Sequence, residues 1–329
     1  MSTLAPTMQA FFTDRLIEQR RASPNTIAAY RDTLRLLIAF AAKQLHRQPC
    51  QLDLADLNAE LIAAFLTHLE TERGNSVKTR NARLAAIHSL YRYAALRHPE
   101  HAADIQRVLA IPPKRSDRAL VTFLDPSEID ALLAAPDRST WTGRRDHALL
   151  LTAIQTGLRA SELAGLKCGD VHLATGAHVS CRGKGRKQRV TPLTVTTVAV
   201  LRVWLAERAG EPESPLFPTS RGGRLSRDGL ERRLAKHLDT ARRHCPSLRD
   251  KRITLHTLRH TAAMQLLHAG VDTTVIALWL GHEQVDTTQI YLHADLALKE
   301  RALARTKPPD AKPGRYRPPD TLLAFLEAL

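Results

Sequence analysis

At 329 residues the chain has room for two domains with ordinary cores, and its 43% hydrophobic content reads as globular. Lysine and arginine outnumber aspartate and glutamate 48 to 33, a formal charge of +15 that favours a polyanionic partner bound with strong salt dependence. The sequence contains no run of about 18 apolar residues, which excludes a helical membrane span. Residues 1–13 lack the basic-then-apolar pattern of a secretory signal, and Cys50, Cys168, Cys181 and Cys245 show no Cys-x-x-Cys spacing. Free thiols in a cytoplasmic protein are expected, not a disulfide framework or a zinc site.

The first hundred residues carry helical periodicity and no strand-like run. One helix is predicted from about Thr7 to Arg21. Ser23-Pro24 starts a second, with Ile27, Tyr30, Leu34, Leu37 and Ile38 on one face. Asn58 starts a third through Leu61, Phe65 and Leu69, ending near Gly74. Ser76 starts a fourth, with Leu84, Ile87, Leu90 and Tyr91 inward. Four short helices with short connections form a small bundle. The second helix carries Arg31 and Arg35, and the first turns of the fourth carry Lys78, Arg80 and Arg83. Cations at a helix N-terminus oppose its dipole, a cost that phosphate contacts would offset. A solvated basic face accounts for the same residues equally well.

Ile111-Pro112-Pro113 followed by Lys114-Arg115-Ser116-Asp117-Arg118 bars helix continuation and reads as a linker. The expected organisation is residues 1–111, a helical domain; 112–119, the linker; 120–306, a second domain; and 307–329, a tether with an apolar helix. Asp125-Pro126-Ser127-Glu128 caps a helix to about Ala135, and another runs from about Thr142 to Thr156 with Gly157 as its stop. Asp170 to Leu173, Ala177 to Arg182 and Gln188 to Leu193 alternate as short strands of a small antiparallel sheet, and helices dominate the remainder. Lys307-Pro308-Pro309 and 313–319 are too proline-rich for helix. Residues 321–329, Thr-Leu-Leu-Ala-Phe-Leu-Glu-Ala-Leu, form a short apolar helix that needs a groove to bury it.

The chemistry is concentrated in His256-Thr257-Leu258-Arg259-His260, Leu280-Gly281-His282, Tyr291 and, upstream, Gly157-Leu158-Arg159-Ala160-Ser161-Glu162. Two arginines whose planar forks match phosphate oxygens, two histidines and a phenol suit a site that holds a phosphodiester and attacks it. Each residue alone has a plainer explanation: Arg159 a surface ion pair, Tyr291 a core aromatic between Ile290 and Leu292. The combination points to DNA strand transfer. A His-x-x-x-His metal site at His256 and His260 lacks the adjoining glutamate of a helical metalloprotease, since Thr257 stands there. No metal and no cofactor is expected.

From about Leu120 to Arg305 the chain resembles the tyrosine recombinases of the phage integrase family, of the Xer type, and the N-terminal half resembles them in organisation. Residue by residue, Arg159 and Lys184 resemble the family's first arginine and its hairpin lysine. His256 and Arg259 fall on His-x-x-Arg, His282 on the His/Trp position, and Tyr291 on the nucleophile. Glu162 sits where the family often has an acid. The resemblance implies a mainly α two-domain DNA clamp with a small antiparallel β-sheet: an N-terminal four-helix core-binding domain and a C-terminal catalytic domain. It implies a 3′-phosphotyrosyl link, Lys184 as general acid with Lys187 its rival, and Arg186, Lys187 and Arg189 as DNA-backbone contacts. Neither ATP nor a divalent metal would be needed. Double-stranded DNA is the expected partner, with four protomers on two sites and the C-terminal helix docked in trans, no membrane being involved. Three rival readings stand beside it: a type IB-like topoisomerase, a catalytically silent DNA-binding protein, and a metal-dependent nuclease.

Overall fold

The computed structural model describes residues 4–115, 121–182 and 188–281, and the chain divides into two compact units, Met1–Arg118 and Ala119–Leu329. The first unit is all helix among its described residues. α1 (Leu4–Ala10) runs on through wider π-type turns over Phe11–Gln19. α2 (Pro24–Leu45), α3 (Ala59–Thr71) and α4 (Val77–Ala94) begin at Ser23, Asn58 and Ser76, whose side chains each accept a backbone N–H of the first turn. Leu34, Leu37, Phe65, Leu69, Leu84, Ile87 and Leu90 close the core, and the buried Tyr91 hydroxyl donates to the Leu57 carbonyl.

A fifth helix, α5 (Ala102–Leu109), corrects the expected count of four. It buries Ile105 and Val108, too few apolar positions to announce a period in eight residues. Residues 112–114 are strapped to the bundle: Arg80 Nη1 donates to Pro112 O (3.2 Å), Asn81 pairs with the Lys114 backbone (2.7 and 3.1 Å), and Lys114 Nζ reaches Glu70 (2.7 Å).

In the second unit, α6 (Pro126–Ala134) opens with the Asp125/Glu128 capping box. The fully buried Glu128 carboxylate also takes Ser247 Oγ (2.7 Å) and Lys251 Nζ (2.6 Å). α7 (Trp141–Thr156) stops at Gly157 in the left-handed conformation (φ +63°). A Cβ there would meet Leu280 Cδ2 at 2.7 Å, so glycine serves both the turn and the packing. α8 (Ala160–Gly165) follows, then β1 (Val171–His172), β2 (His178–Arg182) and β3 (Gln188–Pro192), antiparallel in that order. Cys181 faces Arg189 across β2 and β3, and Val179 faces Thr191.

α9 (Val195–Arg208), α10 (Arg227–His244), α11 (Leu255–His268) and α12 (Thr273–Leu280) complete the unit. Its core includes Leu149, Leu150, Leu201, Trp204, Leu216, Leu230 and Leu258. Inside it lies a charged cluster. Arg145 grips Asp146 Oδ1 (2.9 and 2.6 Å) and the Pro218 carbonyl (2.7 Å), while His237 of α10 meets Asp146 Oδ2 at 2.8 Å. Burial pushes the Asp146 pKa up, but the His237 and Arg145 hydrogen bonds outweigh it and hold the carboxyl below its ordinary value. No described helix is long and apolar enough to cross a membrane.

Candidate active site

Three helix ends meet at the site. Arg159 is the N-cap of α8; its N–H donates to Glu162 Oε2 (2.8 Å) and its Nη1 to Glu162 Oε1 (2.9 Å). Its Nη2 donates to the Gly281 carbonyl (2.8 Å), directly after α12. Arg259, in the second turn of α11, is 3% exposed and spans two helix C-termini, donating to Gly157 O at the end of α7 and to Leu280 O at the end of α12, both at 2.7 Å. Carbonyls at helix C-termini carry partial negative charge, so a buried guanidinium is well placed there. Trp279 Nε1 adds a bond to Thr156 O (3.2 Å). The two arginines therefore converge on the residues immediately before His282.

Glu162 joins Arg159 to the sheet. Arg189 of β3 donates to both of its oxygens (3.0 and 2.8 Å). Burial raises the Glu162 pKa, but the Arg159 N–H and the Arg189 and Arg159 charges hold it below the ordinary carboxylate value. Arg189, expected to lie on the DNA backbone, is therefore committed inward, its Nε buried without a partner among the described residues. Alternation along β3 turns Val190 outward, 54% exposed, and Arg189 inward, opposite the buried Cys181.

His256 stands at the exposed start of α11 with its ring 4.2 Å from that of His260. Partial burial, then the charges of Arg259, Arg159 and Arg227, lower its pKa, so it is neutral at neutral pH. Arg227, at the start of α10, is marked by no local motif and was not among the expected site residues. Only its tertiary placement brings its charge to bear on His256. Arg224, likewise unexpected, donates to the Ala164 and Ser161 carbonyls of α8 (2.7 and 3.3 Å). His260 is pushed down to about 4 by burial, His256 and Arg259. No group of three or more potential metal ligands occurs among the described residues.

Lys184, Arg186, Lys187, His282, Tyr291 and the segment 307–329 lie outside the described residues. In the first unit Arg31, Arg35 and Lys78 are exposed. Arg83 is half-buried with Nη1 unpartnered among the described residues, and its pKa is lowered by burial and by Arg73. Arg80, expected to contact phosphate, is instead 6% exposed and bound to Asn81 and Pro112. Its side chain turns under the strap, so it offers no surface to a duplex.

Residues 122–297 match the phage integrase family, and residues 10–98 match the phage integrase N-terminal SAM-like domain. The chain belongs to this family, the tyrosine recombinases, and is a tyrosine-type site-specific recombinase. It is 58% identical over 328 residues to the integrase/recombinase y4rC of Sinorhizobium fredii, covering 100% of this chain and 99% of that protein. It is 36% identical over 279 residues to the tyrosine recombinase XerC of Pelobacter propionicus, covering 84% and 87%. Among solved structures, the XerH site-specific recombinase bound to palindromic difH substrate in a post-cleavage complex superposes with a TM-score of 0.67 at 23% identity, covering 87% of this chain and 81% of that one. A lambda integrase dimer bound to a COC′ core site gives 0.64 at 16% identity, covering 94% and 80%.

Proposed function

We propose that this recombinase cuts and rejoins double-stranded DNA through a 3′-phosphotyrosyl intermediate on Tyr291, with neither metal nor ATP. The observation that carries the reading is the convergence of Arg159 and Arg259 on the Leu280–Gly281 carbonyls, one residue before His282. In this reading the two guanidiniums neutralise the non-bridging oxygens of the scissile phosphate, where charge develops in the transition state. The Tyr291 oxygen attacks phosphorus, and its proton passes to His256 or His282. The 5′ oxygen departs, taking a proton from Lys184, or from Lys187 as the rival donor. A neutral His256 supports acceptance of the tyrosine proton. The ester keeps the energy of the broken bond, so the 5′ hydroxyl of a partner strand reverses the step without an energy source.

Arg31, Arg35, Lys78 and Arg83 of the first unit, with Arg186 and Lys187 after β2, serve as backbone contacts. The charge of +15 and the XerH and lambda integrase complexes with their DNA sites support a duplex partner. Four protomers act on two sites in the cytoplasm, the apolar 321–329 segment docking on a neighbour. A type IB-like topoisomerase would share the cleavage step and rejoin the original strand.

The test is covalent trapping on nicked suicide substrates built from DNA flanking the gene. The expected result is an EDTA-resistant adduct, absent from Tyr291→Phe. Tight binding without any adduct would instead identify a silent DNA-binding protein, and loss of cleavage in EDTA a metal-dependent nuclease.

A further inference from the structure

Two arginines share one carboxylate at this site, and the exposures of the three side chains differ. The Glu162 side chain is 3% exposed, Arg189 11% and Arg159 32%. Glu162 receives four donors: the Arg159 N–H and Nη1, and Arg189 Nη1 and Nη2. That is the full acceptor capacity of a carboxylate. Were Arg159 and Glu162 alone, they would form a neutral pair, and a phosphodiester would meet a dipole with no net cation. With Arg189 the cluster carries +1, and the guanidinium with the most solvent access is Arg159.

We propose that Arg189 is a positioning residue: its buried charge cancels that of Glu162, which leaves the charge of Arg159 available to the scissile phosphate. The inference rests on the phosphotyrosyl reading and adds a residue to it. Two further observations support it. Both η nitrogens of Arg189 are committed to the Glu162 carboxylate and its Nε is buried, so its charge is spent on that carboxylate. A Cβ on Gly281 would meet Arg189 Nη1 at 2.7 Å, so the same side chain packs against the peptide whose carbonyl holds Arg159 Nη2. Arg189 thus braces both anchors of Arg159, the carboxylate and the carbonyl. A charge buried against one partner and held by paired hydrogen bonds acts at short range with little screening by salt.

The experiment compares wild type, Tyr291→Phe, Arg189→Gln, Arg189→Lys, Glu162→Gln and the double variant Arg189→Gln/Glu162→Gln. Two quantities are measured: single-turnover adduct formation on the nicked substrate, and DNA affinity over a salt series. Arg189→Gln is expected to slow adduct formation about 100-fold, the scale of removing one preorganised charge-stabilising donor. Its salt slope stays at the wild-type value. Adding Glu162→Gln returns the cluster to +1 and is expected to recover about tenfold or more of that rate, a rescue that a merely structural role would not produce. Arg189→Lys, which keeps the charge, serves as the conservative variant and is expected within about tenfold of wild type. A double variant slower than Arg189→Gln alone overturns the charge cancellation. A salt slope reduced by about 0.9 in Arg189→Gln overturns it too, by making Arg189 a phosphate contact. Adduct from wild type and equally from Arg189→Gln removes the role of Arg189 only, whereas no adduct from wild type overturns the phosphotyrosyl reading itself.

Discussion

Arg259→Lys separates the two duties that the site gives its arginines. Arg259 is 3% exposed and ties the C-terminus of α7 to that of α12 by two bonds of 2.7 Å. A lysine has a compact ammonium in place of the planar fork, so one of the two buried carbonyls loses its donor. A hydrogen bond to a charged group contributes about 1.5–3 kcal/mol, and that is the expected loss. For a unit of this size each kcal/mol moves Tm by about 2–4 °C, so a drop of roughly 3–12 °C is expected. Arg159→Lys is the control: its guanidinium is 32% exposed, and Glu162 keeps the bidentate grip of Arg189. Arg159 is the more exposed of the two arginines and its carboxylate keeps two other donors, so the Tm of Arg159→Lys should fall less than that of Arg259→Lys. Calorimetry without DNA reads both transitions, and hydrogen exchange at the ends of α7 and α12 locates the loosening. Both variants should lose adduct formation. Equal Tm for the two lysine variants would show that Arg259 does not brace the helix ends.

Three other outcomes are expected. His260 titrates at about 4 in the folded protein against an ordinary 6.5, so between those values the folded state binds fewer protons than the unfolded one. Its contribution is complete above about pH 6.5, is lost as pH falls through the window to about 4, and amounts to at most about 3 kcal/mol. Urea denaturation over that range should show a shallower pH dependence in His260→Gln, and an unchanged slope would refute the assignment. Lys78→Ala should lower the salt slope of DNA binding by about 0.9, whereas Arg80→Ala should leave the slope alone and destabilise the first unit by about 1–3 kcal/mol. Equal slope changes would return Arg80 to the DNA surface. Gly281→Ala puts a Cβ at φ +64°, 2.7 Å from Arg189 Nη1, costing about 1–2 kcal/mol of backbone strain. It should slow adduct formation by about tenfold or more through misplacement of Arg159, and wild-type kinetics would show that the contact is slack.

Local chemistry was legible in the sequence, and long-range chemistry was not. The starts of α2, α3, α4 and α6 at Ser23, Asn58, Ser76 and Asp125, and the stop at Gly157, could be read because each depends on residues within three or four positions. The fifth helix and the strap at 112–114 could not. Their warrants are two buried apolar side chains and hydrogen bonds to residues more than thirty positions away. The same division runs through the site. Arg159, His256 and Arg259 are proposed from short motifs, but the groups that hold the two arginines, Gly157 O, Leu280 O and Gly281 O, are backbone atoms that no side-chain pattern names.

Arg80 and Arg189 show why charge misleads. Read from composition, a cation belongs on the surface; here one is covered by a proline strap and the other is turned in by a two-residue period. The cross-strand register could have warned of Arg189, since it shares a face with Thr191, which is fully buried, and lies opposite Cys181, which is 6% exposed. An arginine that a strand turns toward a buried face needs an acid, and Glu162 is the acid within reach. Arg189 therefore has its place because Glu162 must be neutralised, and neutralising Glu162 is what allows Arg159, on the same carboxylate, to keep a charge to offer.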